Sequence, residues 1–420
     1  MYTLERNTPR CRIFWLEGRK FKTNLFLLFF ELPLKRDTAT KTALLAEVLK
    51  EGCRHYPNGR AIATAAEEMY GAVWDISIIK KGEKQLLLFA LEAAKAVDTE
   101  EGVAFLKALS AEPLVEQEAF PPGVVKRCKE ILEKKLAAAK DDKQQYARKR
   151  CLQEGAKGTP LEISAEGYEE DIKEIDGKIL YEYYTNIFEH APVKVFFCGD
   201  RGEKSKLAAL RKIFPGGEPL ERLLEEKERP CTAAPVFIKE HMPMEQARLL
   251  MAFDTTARWG KRSYAAMLVL NQLFGGDPDS LLFQSLREKE GLCYDIKSYS
   301  YPLTGRLFVQ TGIQAKDAKK SAVEVLKALE SLGEEPAEAK RLEQAKTALL
   351  RQYQTIADQP WAMADFSVEQ VLGGGERGLE PFLAHIRNVT AEEVCRMANK
   401  ARLKAIYLLS GKEAAGNAGK

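Results

Sequence analysis

Histidine is scarce. The 420 residues contain four, His55, His190, His241 and His385, and no two lie within one helical turn of each other. That excludes an H-x-x-x-H ligand pair on any helix and leaves each histidine a surface or structural residue. None of the eight cysteines (Cys11, Cys53, Cys128, Cys151, Cys198, Cys231, Cys293, Cys395) belongs to a C-x-x-C pair, so neither a zinc ribbon nor a dithiol redox site is expected. In a chain of this size their spacing favours reduced thiols and a cytoplasmic location over disulfides. A run of about 18 apolar residues is missing too, so no membrane helix is expected. The most apolar stretch, Leu25 to Leu34, is interrupted by Glu31 and Pro33 and lacks a small-residue cleavage site. It reads as a buried strand and not as a signal peptide. Strong charge of one sign is likewise lacking: the formal net charge is +3, too small to suggest a nucleic-acid partner. Nor is there a Ser/His/Asp or Cys/His arrangement with a motif around it, which argues against a metal-independent peptidase.

What is present is an ordinary globular composition, 45% hydrophobic and 30% charged, in a chain long enough for two or three domains. An internal repeat organises it. Asn24–Pro33 reads as a strand and Ala43–Gly52 as a helix; Ala247–Thr255 and Ala266–Gly275 repeat that order, with Gly52 and Gly275 223 positions apart. Both halves also close alike, on Val193–Gly199 and Ala405–Gly411, whose glycines are 212 positions apart. Matching order at both ends points to duplication, and the drift in offset is what unequal loops give.

Pro215–Pro219, the charged run Glu221–Glu228 and Pro230 to Pro235 form the best linker. The boundary is placed near residue 226, giving halves 1–226 and 227–420. Each half alternates strands with amphipathic helices and includes hairpin-like pairs, such as Cys293–Tyr301 with Arg306–Ile313 around Pro302 and Gly305. The longest helical pattern, Val124 to Glu154, divides around Asp141 and Asp142. The predicted fold class is α+β: two duplicated halves, each a mostly antiparallel sheet with helices packed on one face.

On the helix after the first strand, Leu44, Leu45, Val48 and Leu49 form an apolar stripe. Ala43, Ala46, Glu47 and Lys50 are expected on the other face, where a zinc site would need two ligands a turn apart and a general base. Two alanines and a glutamate do not supply them, and Glu47 with Lys50 reads as a surface i, i+3 pair. A second segment runs from Phe274 to Asp295. Asp277 suits an N-cap, Pro278 the first helical position and Gly291 the left-handed helix end, with a strand starting at Leu292. Arg287 in the last turn and Tyr294 early on that strand could hold a peptide carbonyl or carboxylate. Arg287 equally suits a helix C-terminus, where a cation is favoured.

The segment Leu282–Tyr294 (LFQSLREKEGLCY) resembles the second-half signature of pitrilysin/insulinase-type peptidases, the group that includes mitochondrial processing peptidase. Gln246, the Gly275-Gly276 turn, and Asn24 to about Phe89 including Tyr70–Asp75 resemble the family as well. The resemblance implies two related α+β halves forming one side of a clam-like chamber. The family's zinc motif is H-x-x-E-H; its histidines fall here at Ala43 and Glu47, its base at Ala46, and its third ligand near Arg127. The resemblance therefore implies a degenerate metal site: no metal, no cofactor and no catalytic residue in this chain alone. Arg287 and Tyr294 fall where the family has its substrate-positioning pair. The pattern is nearest to the YmfF-like branch, bacterial zinc-less chains held to pair with a zinc-bearing sister.

In the family the strand matching Ala72, Val73, Trp74 and Asp75 lies at a sheet edge and docks extended peptide; an inner strand with Trp74 in the core is the other reading of these residues. Two functions follow as expectations. One is a non-catalytic subunit that binds peptide or unfolded protein, active only with a zinc-bearing partner in a heterodimer or through self-association. The other is a stand-alone peptide-binding or scaffold module. Neither involves nucleic acid or a membrane.

Overall fold

Ten of the eleven residues of the third strand, Thr23–Pro33, carry no charge, and nine are buried. A strand with such a continuous apolar run has both faces covered and neighbours on both sides. The computed structural model, which describes residues 2–8, 10–200, 202, 234–374 and 378–411, bears this out. The strands are β1 (Tyr2–Asn7), β2 (Cys11–Glu17), β3 (Thr23–Pro33), β4 (Val73–Lys81), β5 (Lys84–Ala94) and β6 (Val193–Gly199), in sheet order β1-β2-β6-β3-β5-β4. β3 lies between β6 and β5. The one charge in it, Glu31, is met by Lys84 and Lys194, so the buried carboxylate is paired.

A second sheet holds β7 (Val236–His241), β8 (Ala247–Asp254), β9 (Cys293–Tyr301), β10 (Arg306–Ile313) and β11 (Arg402–Ser410), in order β7-β11-β8-β10-β9. Strand for strand it repeats β2-β6-β3-β5-β4. β2 with β6 and β7 with β11 are the parallel pairs; the other pairs are antiparallel. The duplication read from glycine offsets is therefore one of topology, with β1 added to the first sheet.

Helices pack by the alternation of strand residues. Phe26, Leu28 and Phe30 on β3 and Leu87, Phe89 and Leu91 on β5 share a core with α1 (Ala39–Lys50), α2 (Gly59–Glu68), α3 (Thr99–Ala111) and α4 (Pro122–Ala138). A side chain such as Phe89, fully buried there, would cost about 3–5 kcal/mol if cut to alanine. Leu27, Phe29, Leu86 and Leu88 point to the opposite face. Trp361, Ala362 and Val368 of the Pro360–Gly373 helix line a cavity of about 290 Å³ with them.

The chain divides into two compact units that are not contiguous in sequence. The first comprises Met1–Ala139, Ile163–Glu228 and Ile356–Val368; the second comprises Lys140–Glu162, Arg229–Thr355 and Glu369–Lys420. The long helical pattern breaks where its aspartates stand: α4 ends at Ala138, and Asp142 caps α5 (Lys143–Gly155), accepting from the amides of Gln144 (3.1 Å) and Gln145 (2.9 Å). The break separates units, since α5 packs on the second sheet, where Ala147, Cys151 and Leu152 meet Leu250, Ala252, Phe308 and Tyr407. The boundary expected near residue 226, and the linker around it up to residue 233, lie outside the described residues. Among the described residues no helix is long and apolar enough to cross a membrane.

Candidate functional site

α1 is buried around nearly its whole circumference. Ala43 and Ala46 are as buried as Leu44, Leu45, Val48 and Leu49 and belong to the same core; only Lys41, Glu47 and Lys50 are half-buried. The expectation that Ala43 and Ala46 face away from the core is corrected here. Alanine is compatible with either face, and the small side chains let neighbouring elements close over the helix. The pairing of Glu47 with Lys50 is corrected too. Lys50 reaches Asp75 on β4 (2.9 Å), and Glu47 accepts from Lys135 on α4 with both oxygens (2.8 Å each).

One turn on, Glu51 accepts from Arg127 of α4 (2.9 Å). Glu47 to Lys135 and Glu51 to Arg127 run in opposite senses along the two helices, so α1 and α4 pack antiparallel. Buried beside these carboxylates is Cys128, whose thiol is pushed up to about 12 by burial and by Glu51 and Glu47. This is where the resemblance noted in the sequence would place zinc, and the residues do not fit it. Two positions are core alanines, both carboxylates are already engaged by Lys135 and Arg127, and Arg127 stands where a third ligand would be needed. Among the described residues no three His, Cys, Asp or Glu side chains converge to hold a metal ion. Glu51, Cys128 and Lys135 were not singled out from sequence. The signal was there for Glu51, one turn beyond Glu47, and for Lys135, two turns beyond Arg127.

β4 lies at one edge of the first sheet and, among the described residues, pairs with β5 alone. Its entry turns on Tyr70 and Gly71, both with positive φ (57° and 71°). Val73 is 65% exposed, and Ala72 is half-buried. Trp74 packs edge-on against Phe105 (6.4 Å), so this edge strand also anchors its tryptophan to the core. Asp75 loses proton affinity despite its partial burial, because Lys50 and Ser77 hydrogen-bond its charged form.

Arg287 and Tyr294 flank the turn into β9, which lies at one edge of the second sheet. The helix before it begins at Leu281 and becomes π-helical over Phe283–Lys289. It starts later than the Asp277-Pro278 pattern predicts, because the Asp277 carboxylate instead accepts from the Asp279 amide (2.9 Å) and the Gln272 side chain (2.6 Å). Gly291 ends the helix with φ +61°, and the Leu292 amide donates to the Leu286 carbonyl (2.8 Å). Arg287 is exposed and lies 4.7 Å over the Phe283 ring. Tyr294 is 65% exposed. Both residues are thus exposed at the same end of β9.

Comparison with known proteins follows the same lines. Residues 174–349 match the family described as "Peptidase M16 inactive domain". The chain is 28% identical over 407 residues to the "Probable inactive metalloprotease YmfF" of Bacillus subtilis (strain 168), covering 95% of this chain and 96% of that one. Over 159 residues, 37% of this chain and 39% of the relative, it is 27% identical to the "Uncharacterized zinc protease YmxG" of the same organism. Among solved structures, a conserved protein from Enterococcus faecalis V583 superposes with a TM-score of 0.86 at 25% identity over 98% of this chain and 99% of that one. The fold is shared with a peptidase M16 inactive domain from Pseudomonas fluorescens (TM-score 0.77, 20% identity, 98% of each chain).

Proposed function

The chain belongs to the pitrilysin/insulinase-type (M16) peptidase family, among its inactive homologues, and from that premise we propose that it is a non-catalytic subunit that binds peptide and presents it to the zinc of a sister chain. The observation that carries this reading is a contrast between two sites. The zinc positions are given over to core alanines and α1–α4 ion pairs, while Arg287 and Tyr294 remain exposed at the start of β9. A chain that had lost its role with its metal would have no use for the second site. The open backbone of β4 offers N–H and C=O groups to an extended peptide with little sequence preference. Cys53, Cys128, Cys151, Cys198 and Cys293 are buried thiols outside any disulfide, with Cys198 pushed up to about 12 by burial, and they fit a reducing cytoplasm.

The test is reconstitution with a zinc-bearing M16 chain from the same source. Donors aimed at developing charge each contribute roughly 3 kcal/mol to catalysis. Arg287→Ala should leave pairing intact and lower turnover of an unfolded-protein substrate by about a hundredfold. Tyr294→Phe should act in the same direction but less. Full activity with both variants would sink the proposal and favour a stand-alone peptide-binding or scaffold module built on β4.

A further inference from the structure

β9 and β10 pair in step from Tyr301 opposite Arg306 to Asp295 opposite Gly312; the register then slips, Cys293 faces Ile313, and Tyr294 is left without a partner. A bulge of this kind re-aims the side chain it carries. It does not hold itself. The Thr311 hydroxyl donates to the Asp295 carbonyl (2.8 Å), fastening the residue beside the bulge. Arg248 on β8 lies two strands away, in register with Gly312, and its Nη1 reaches over β10 to both Asp295 carboxylate oxygens (2.8 and 3.0 Å). Gly312 is what allows that reach. A Cβ there would lie 2.3 Å from Asp295 Oδ1, 2.7 Å from Arg248 Nη1 and 3.0 Å from Gln246 Cδ. The glycine is needed for room and not for an unusual backbone angle.

We propose that Asp295, clamped by Arg248 across Gly312, is a positioning residue that fixes the bulge and so aims Tyr294 at bound peptide. The inference rests on the reading of Tyr294 as a peptide contact. Asp295 itself touches no substrate. The carboxylate is half exposed, so the pair adds little to global stability, and its loss acts locally.

The experiment uses the full chain and two readouts. Hydrogen exchange is followed at the amides of residues 292–297. Binding of fluorescein-labelled, reduced and carboxymethylated α-lactalbumin is followed by anisotropy. Asp295→Asn and Gly312→Ala should speed exchange in this segment about fivefold or more, with the thermal midpoint unchanged. Asp295→Asn should weaken probe binding as Tyr294→Phe does, and the double variant should bind no worse than Tyr294→Phe alone. Unchanged exchange in both clamp variants overturns the clamp, as does an Asp295→Asn loss that adds fully to that of Tyr294→Phe. Should Gly312→Ala fail to fold, Asp295→Asn, a change of one atom, carries the test. If Tyr294→Phe alone leaves probe binding intact, the peptide-contact reading is what fails, and exchange still decides the clamp.

Discussion

By the resemblance of the sequence to M16 peptidases, Ala43 and Ala46 would take the places of a metal ligand and a general base, yet replacing them would not build a zinc site. Their Cβ atoms are packed into the core of the first unit, at 3% and 1% exposure. A histidine at 43 and a glutamate at 46 would need space that is already filled, and the glutamate would bring a charge with no partner. Lys135 and Arg127 add two cations next to the position the metal would take. Converting Ala43→His, Ala46→Glu, Glu47→His and Arg127→Glu together should therefore destabilise the chain by about 3 kcal/mol or more, since overpacking and an unpaired buried charge each cost a few kcal/mol. Elemental analysis of the purified variant should find no stoichiometric zinc. A folded variant with one zinc per chain would show that α1 retains the room its relatives use.

At the scale of elements, the polar contacts that hold α5 to the second sheet depend on a charged carboxylate and so on pH. Glu240 on β7 accepts from Arg150 (Nε 2.8 Å, Nη2 2.6 Å), Tyr407 (2.8 Å) and Tyr146 (3.0 Å). Burial alone would raise its proton affinity, but the bonds from Arg150, Tyr407 and Tyr146 hold it below the ordinary carboxylate value. A depressed carboxylate stabilises the fold above the ordinary range and loses that contribution as pH falls through the lowered value. Glu240→Gln should therefore cost about 1–2 kcal/mol in urea unfolding at pH 7, with the gap to the natural protein closing below about pH 4. A gap that stays constant down to pH 3 would mean that Glu240 does not hold α5. Much at this scale was legible. Pro302 and Gly305 mark the β9–β10 hairpin, and Asp141-Asp142 marks the break between α4 and α5. Which sheet α5 joins was not legible, because an amphipathic helix states that it has a partner and not which one. The same ambiguity hid the second buried face of α1, where alanine gives no sign of which way it points.

For the molecule as a whole, duplication was readable in the order of strands and glycines, whereas the exchange of segments between units was not. The first unit takes in Ile356–Val368 from the second half of the sequence, and the second unit takes in Lys140–Glu162 from the first. Each borrowed segment is tied by polar bonds as well as by apolar contact. Trp361 Nε1 donates to Glu92 (2.5 Å), Lys81 meets Asp365 (2.7 Å) and Lys20 meets Asp358 (2.8 Å); in the second unit Arg148 donates to Gln310 (2.7 Å) and Arg306 to the Gly155 carbonyl (3.1 Å). Residues 1–226 made alone would lack Trp361, Ala362 and Val368 over Leu27, Phe29, Leu86 and Leu88. They would expose a contiguous apolar patch of the kind that drives association or aggregation. That fragment should come out insoluble or should bind a hydrophobic dye strongly. Co-production with residues 227–420 should recover a soluble two-piece complex, because each piece then supplies the segment that the other's unit requires. Two separately stable, dye-silent fragments would show that the borrowed segments are dispensable and that the halves fold as contiguous domains.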